Sequence, residues 1–260
     1  MRIVKPYSGA FFKYRGFDSP YAEAMLTRGE VYFAPPSELN DPFELRPHLS
    51  NVAMPKIRRD LTKQAFSNLG VSGTNSKLLR KRIQATAELK KTLGSPDDLK
   101  REFWRAVDAR NGILSGSTIS TSIQQWTYYA RAHTGLAVEF DIPAVNPPFV
   151  TLLVRYSDVR PDVDAARFFG DPRYQSEAGI SVMTVKHSGW QHEKEVRGIK
   201  DRNGKEFIPD LLRGVYLGVK CSDANEARVK GWIRASARHM TLYRMKADEE
   251  RFGLIAEEIA

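Results

Sequence analysis

Between residues 56 and 110 the apolar residues return every three or four positions. Ile57, Leu61, Ala65 and Leu69 form one series, Leu79, Ile83 and Ala87 a second, and Leu99, Phe103 and Val107 a third. That period is helical. "SPDDLKREFW" adds a helix start, with Ser95 as cap, Pro96 in the first turn and two acids against the helix dipole. "NLGVSGTNS" (68–76) reads as the loop between helices. The flanking sequence has the texture of strands, so the helical block is predicted to be an insertion packed on a β-rich body. A chain of 260 residues is long enough for one large domain that carries such an insertion.

Outside the block, "FFKYR" reads as a first strand. "SPYAEAMLTRG" reads as a helix with Ser19 as cap and Gly29 as stop. "EVYFAPP" is a short strand halted by Pro35 and Pro36, and "SELNDPFE" an ordered turn in which Phe43 anchors the loop. "GILSGSTISTSI", "LAVEFDIP", "FVTLLVRYSDV" and "GVYLGV" read as strands. "QQWTYYARAHTG" and "SDANEARVKGWIRASA" read as helices, and a hairpin closes the chain. Residues 157–178 are expected to hold loops and one short helix. "ISVMTV" fits either helix or strand.

Composition narrows the class. With 42% hydrophobic and 27% charged residues the chain is globular rather than disordered. Cys221 is the single cysteine, which excludes an internal disulfide and a thiolate zinc cluster. No apolar run has signal-peptide length and none approaches 18 residues, so a soluble, cytoplasmic protein without membrane contact is expected. The formal charge is +9. Residues 56–110 hold 14 Lys and Arg against 6 Asp and Glu, a surplus of eight. Such a basic face suits a nucleic acid or another polyanion.

Three short stretches carry candidate chemistry. Arg15 ends the first strand, where a guanidinium can clamp a pyrophosphate. Ser120, Thr121 and Ser122 are read as hydroxyls on a strand, able to bond a ribose or an amide. Glu193 and Glu195 flank Lys194. On a strand, both carboxylates would point the same way and stabilise positive charge developing at an anomeric carbon. Asn40 and Asp41 are candidate pocket-wall contacts, Tyr128 a stacking ring, and His192 a substrate contact. The histidines lack metal-ligand spacing, and neither a P-loop nor a dinucleotide fingerprint is present.

This ordered set resembles the arginine–serine–glutamate class of ADP-ribosyltransferases: Arg15, then "STS" at 120–122, then "EKE" at 193–195, with "KHSGWQH" where that class has its substrate-recognition loop. The resemblance implies an α+β fold in which two small packed β-sheets form an NAD-binding cleft. It implies Glu195 as catalytic glutamate, Glu193 as the acceptor-side carboxylate, and Trp190 or Gln191 as loop contacts. NAD would be the substrate, and a protein, a nucleic acid or water the acceptor. The gaps of 105 and 71 residues are long for that class; the helical insertion accounts for the first. A second resemblance covers nearly the whole chain. "GEVYFAPPSELNDPFE", "WTYYARAHTGLAVEFD" and "WQHEKEVR" are similar to a bacterial family known as a domain of unknown function, number twenty-nine seventy-one, whose members occur in mobile-element or phage-defence settings.

Two other functions fit the residues. Asp41, Glu44, Glu193 and Glu195 could hold Mg²⁺ in a nuclease. Alternatively, the basic helices bind nucleic acid and the motif set is degenerate. One domain spanning 1–260 is expected in every case.

Overall fold

The computed structural model describes residues 6–68 and 76–259. The strands are β1 (Gly9–Arg15), β2 (Glu30–Phe33), β3 (His48–Ser50), β4 (Asn111–Ser117), β5 (Leu136–Ile142), β6 (Val150–Leu153), β7 (Arg155–Tyr156), β8 (Asp162–Asp164), β9 (Val185–Lys186), β10 (Glu195–Asp201), β11 (Gly204–Phe207), β12 (Leu212–Leu217), β13 (Thr241–Ala247) and β14 (Leu254–Glu258). The α-helices are α1 (Tyr21–Arg28), α2 (Met54–Asn68), α3 (Ser76–Thr92), α4 (Pro96–Arg110), α5 (Ile123–Tyr129), α6 (Ala165–Phe168), α7 (Pro172–Thr184) and α8 (Asp223–Ser236). Among the described residues no helix is long and apolar enough to cross a membrane.

The chain divides into two compact units. One comprises Met1–Asn40, Arg110–Tyr156 and His187–Ala260, the other Asp41–Ala109 and Ser157–Lys186. The helical segment expected at 56–110 thus belongs to a unit that starts earlier and takes in a second stretch of chain.

The first unit is built on one sheet, curled into a half-barrel, with strand order β14-β13-β12-β5-β1-β4-β10-β6. Alternation along the strands gives it two buried faces. Phe11, Leu136, Val138, Phe140, Val215 and Leu217 join one core with Met25 and Leu26 of α1 and Val229 of α8. Phe12, Tyr14, Ala137, Tyr216 and Met245 join another with Trp126 of α5. Gly29 ends α1 in the left-handed region, at φ 68°, and its N–H returns to the helix.

The expectation of two packed sheets is corrected, and the reason lies at one seam. β1 pairs with β5 at seven positions, and β4 pairs with β10 at seven. β1 and β4 pair only at Phe12↔Ser117. The sheet is therefore continuous but almost divided between β1 and β4. Gly116 belongs to this seam: a Cβ there would lie 2.5 Å from the Phe11 ring, so only glycine admits the close approach.

The second unit holds α2, α3, α4, α6, α7 and the parallel pair β3 and β8. Met54, Ile57, Leu93, Leu99, Ala165 and Ala166 form its core. Ser95 and Asp98 close a reciprocal cap on α4: the Ser95 hydroxyl accepts from the Asp98 N–H at 3.2 Å, and the Ser95 N–H donates to the Asp98 carboxylate at 2.8 Å. The stretch 157–178 is more regular than expected, since it holds β8, α6 and the start of α7; "ISVMT" completes α7 as helix. The loop expected at 68–76 lies outside the described residues apart from its two ends. Phe43 does not anchor its turn: it is 64% exposed, while Leu45 is buried.

Candidate functional site

β4 ends at Ser117, so Ser120, Thr121 and Ser122 are not strand residues but the loop leading into α5. Their roles differ. Ser122 is the N-cap of α5 and accepts from the Gln125 N–H at 3.3 Å. Ser120 offers its carbonyl to the Trp126 indole N–H at 2.7 Å. Thr121 is exposed. The buried strand hydroxyl is Ser117, which donates to the Glu193 carbonyl at 2.8 Å. Gln125 donates to the same carbonyl at 3.1 Å, and the Thr118 N–H donates to the Lys194 carbonyl at 3.0 Å. The loop after β4 and the first turn of α5 thus grip the segment that precedes β10.

That segment is the 3-10 turn Ser188–Glu193. Lys194 ends it in the left-handed region at φ 45°, and Glu195 is the first residue of β10. The two glutamates therefore do not alternate along a strand, as the motif predicts; they straddle the junction between turn and strand. Both are buried, each 3% exposed. The Tyr129 hydroxyl donates to the Glu193 carboxylate at 2.6 Å. Arg197, wholly buried, grips Glu195 with two bonds, Nε to Oε1 at 2.7 Å and Nη2 to Oε2 at 3.2 Å. Residues two apart on a strand share a face, which puts Arg197 beside Glu195. The Glu195 N–H donates to the Tyr156 hydroxyl at 2.8 Å.

The seam between β1 and β4 adjoins this cluster. Where the backbone ladder lapses, side chains take over its carbonyls. The Lys13 ammonium donates to the Ser115 carbonyl, and the Tyr14 hydroxyl donates to the Ile119 carbonyl at 2.7 Å. Burial holds Lys13 well below the ordinary lysine range; Arg15 pushes the same way, and Glu195 and Glu193 oppose it. Burial also lowers Arg15, against the opposing influence of Tyr21. The Arg15 Nε is shut off from solvent and has no hydrogen-bond partner. A buried guanidinium nitrogen left in that state is a place for an acceptor.

Three rings sit together at the turn. Tyr128, 63% exposed, meets the His192 ring edge-on at 6.1 Å, and Trp190 meets His192 at 6.0 Å. Gln191 beside them is exposed. Asn40 is exposed at the end of its segment of the first unit. Asp41 belongs to the second unit, where its carboxylate accepts from the Phe43 N–H at 2.8 Å in an Asx turn. Among the described residues no three His, Cys, Asp or Glu side chains are grouped to hold a metal ion. Two of the four carboxylates of the nuclease reading are committed elsewhere: Glu44 pairs with Lys186 at 2.7 Å and Glu195 with Arg197.

Six contributors to this site were not singled out from the sequence: Lys13, Tyr14, Ser117, Gln125, Tyr156 and Arg197. Signals existed for two. "SIQQ" has the Ser-x-x-Gln form of a helix start, which fits Ser122 and Gln125. "EVR" puts an acid and a base two apart on a strand, which fits Glu195 and Arg197. In comparisons with known protein families, curated proteins and solved structures, the chain has no significant match.

Proposed function

We propose that this chain binds NAD, cleaves its nicotinamide–ribose bond, and passes ADP-ribose to an acceptor or to water. One observation carries the reading. Arg15, the 120–122 loop and the Glu193–Glu195 junction are separated by 105 and 71 residues, yet they come from three consecutive strands, β1, β4 and β10. In this reading the unpartnered Nε of Arg15 takes a phosphate oxygen of NAD. Ser117, Ser122 and Gln125 act as scaffold, fixing the turn that carries the glutamates. Arg197 orients the Glu195 carboxylate toward the ribose, where it stabilises the oxocarbenium-like transition state. Tyr129 orients Glu193 toward the acceptor.

The test is nicotinamide release from NAD by the wild-type chain, by Glu195→Gln and by Arg15→Gln, with NAD binding followed by calorimetry. The reading expects turnover that falls at least about 100-fold in Glu195→Gln while NAD still binds, and weakened binding in Arg15→Gln. Absence of both turnover and binding in the wild type, across protein, nucleic-acid and water acceptors, would sink it.

A further inference from the structure

The helices of the second unit treat their charges in two ways. In α4 three of the four bases have an acid three residues before them: Lys100 pairs with Asp97 at 3.0 Å, Arg101 with Asp98, and Arg105 with Glu102 at 3.0 Å. α2 and α3 do not balance themselves. Lys56, Arg59 and Lys63 lie three and four residues apart on one exposed stripe of α2; Asp60 lies 4.0 Å from Arg59, Asp164 acts on Lys56 from outside the helix, and Lys63 has no acid at ion-pair distance among the described residues. On α3, Lys91 pairs with Glu88 at 3.0 Å, but Arg80, Lys81 and Lys90 are exposed with no acid at ion-pair distance among the described residues. The two helices are fixed against each other by the Thr62 and Thr86 hydroxyls at 3.0 Å and by Arg82 over the Phe66 ring at 5.6 Å. Lys63, Arg80, Lys81 and Lys90 are thus left without an acid at ion-pair distance among the described residues, on a paired scaffold.

We propose that the α2–α3 pair docks the phosphate backbone of a nucleic acid. Exposed cations without counter-charges repel one another, and a polyanion relieves that repulsion while releasing its own counterions. The pair suits the other polyanionic partners less well. Insertion into a lipid surface needs an apolar stripe, and the large exposed apolar residue on α3 is Ile83 alone among those described. A protein interface needs aromatic or apolar anchors at its centre, and, Ile83 apart, the exposed described positions of α2 and α3 are charged, polar, alanine or proline. Contact through cations alone reads the backbone and not the bases. The proposal is independent of NAD chemistry.

The experiment is fluorescence anisotropy with the full chain, without NAD, on a labelled ~20-bp DNA duplex, from about 50 to 200 mM KCl. Affinity is expected to fall linearly with salt on logarithmic axes. Neutralising Lys63, Arg80, Lys81 and Lys90 to Gln should weaken binding at least about tenfold at low salt and flatten the slope by about 3.6. Neutralising Lys100, Arg101 and Arg105 to Gln should change affinity by less than about threefold, because those bases are already paired. All these side chains are exposed, so circular dichroism should be unchanged; if the quadruple variant fails to fold, Lys63→Gln and Lys81→Gln singly should each flatten the slope by about 1. The proposal is overturned by no binding, by equal losses in the two sets, by loss in Glu195→Gln, or by binding to phosphatidylserine vesicles but not to duplex.

Discussion

β1 has two edges, and they are made differently. Toward β5 it is laddered at every position from Gly9↔Ile142 to Arg15↔Leu136, and the side chains around that ladder are largely apolar. Toward β4 it pairs once, at Phe12↔Ser117. There, the Ser115 and Ile119 carbonyls are served by Lys13 and Tyr14. Because a buried carbonyl must be paired, a lapse in the ladder calls in polar side chains. The consequence is local chemistry. The strained electrostatics of Lys13, the unpartnered Arg15 Nε and the buried glutamates all gather at the unladdered edge, while the laddered edge supplies rigidity.

The comparison can be broken in several places. The largest effect is expected from Arg197→Ala, which leaves the buried Glu195 carboxylate without its guanidinium and should cost about 3–5 kcal/mol in urea denaturation. Replacing the pair together, with Arg197→Met and Glu195→Leu, should restore most of that loss, since an apolar pair leaves no stranded charge. A single-site loss below about 1 kcal/mol would mean that the pair is solvated. On the laddered edge, Leu136→Ala should cost about 2–5 kcal/mol by opening a cavity, and should leave NAD binding unchanged. Tyr14→Phe deletes one hydroxyl bridge across the seam and should cost only about 0.5–1.5 kcal/mol.

The smallest effect is a slope. Lys13 binds its proton less well in the folded chain than in the unfolded one. Stability should therefore rise with pH between the lowered folded value and the unfolded value near 10.5, because the unfolded state holds the extra proton in that window. Lys13→Met should remove that rise. Because its stability lacks that rise, the variant should lose ground to the wild type as pH climbs toward 10.5. Parallel stability–pH curves for the two proteins would show that the ammonium is not desolvated at the seam.

Parts of this arrangement could be read from the sequence because their causes are local. The helices of the second unit announce themselves through the spacing of Leu99 and Phe103 and the Ser95–Asp98 cap. Gly29 marks the end of α1 for the same kind of reason. The misreading of Ser120–Ser122 as strand came from treating the hydroxyls as strand formers, when Ser122 was a helix cap. The placement of Glu193 depended on Lys194 adopting φ 45°, which a lysine gives no sign of doing. The lapse between β1 and β4 had no local cause at all. It is settled by where two strands roughly a hundred residues apart meet, and only the packing of Phe11 against Gly116 reveals it.

The position of β1 also has a consequence in time. Its laddered partner β5 begins at Leu136, about 120 residues after β1 ends. At roughly 5–20 residues per second, β1 leaves the ribosome ~6–24 s before the strand that covers it. In that interval "GAFFKYR" is an open strand with two aromatic faces. The helices of the second unit, whose contacts within α2 to α4 are close in sequence, are synthesised during the wait and can form without it. β1 thus stays uncovered while the helices α2 to α4 are made, which makes the nascent chain, more than the finished one, the state in which this protein is exposed to aggregation.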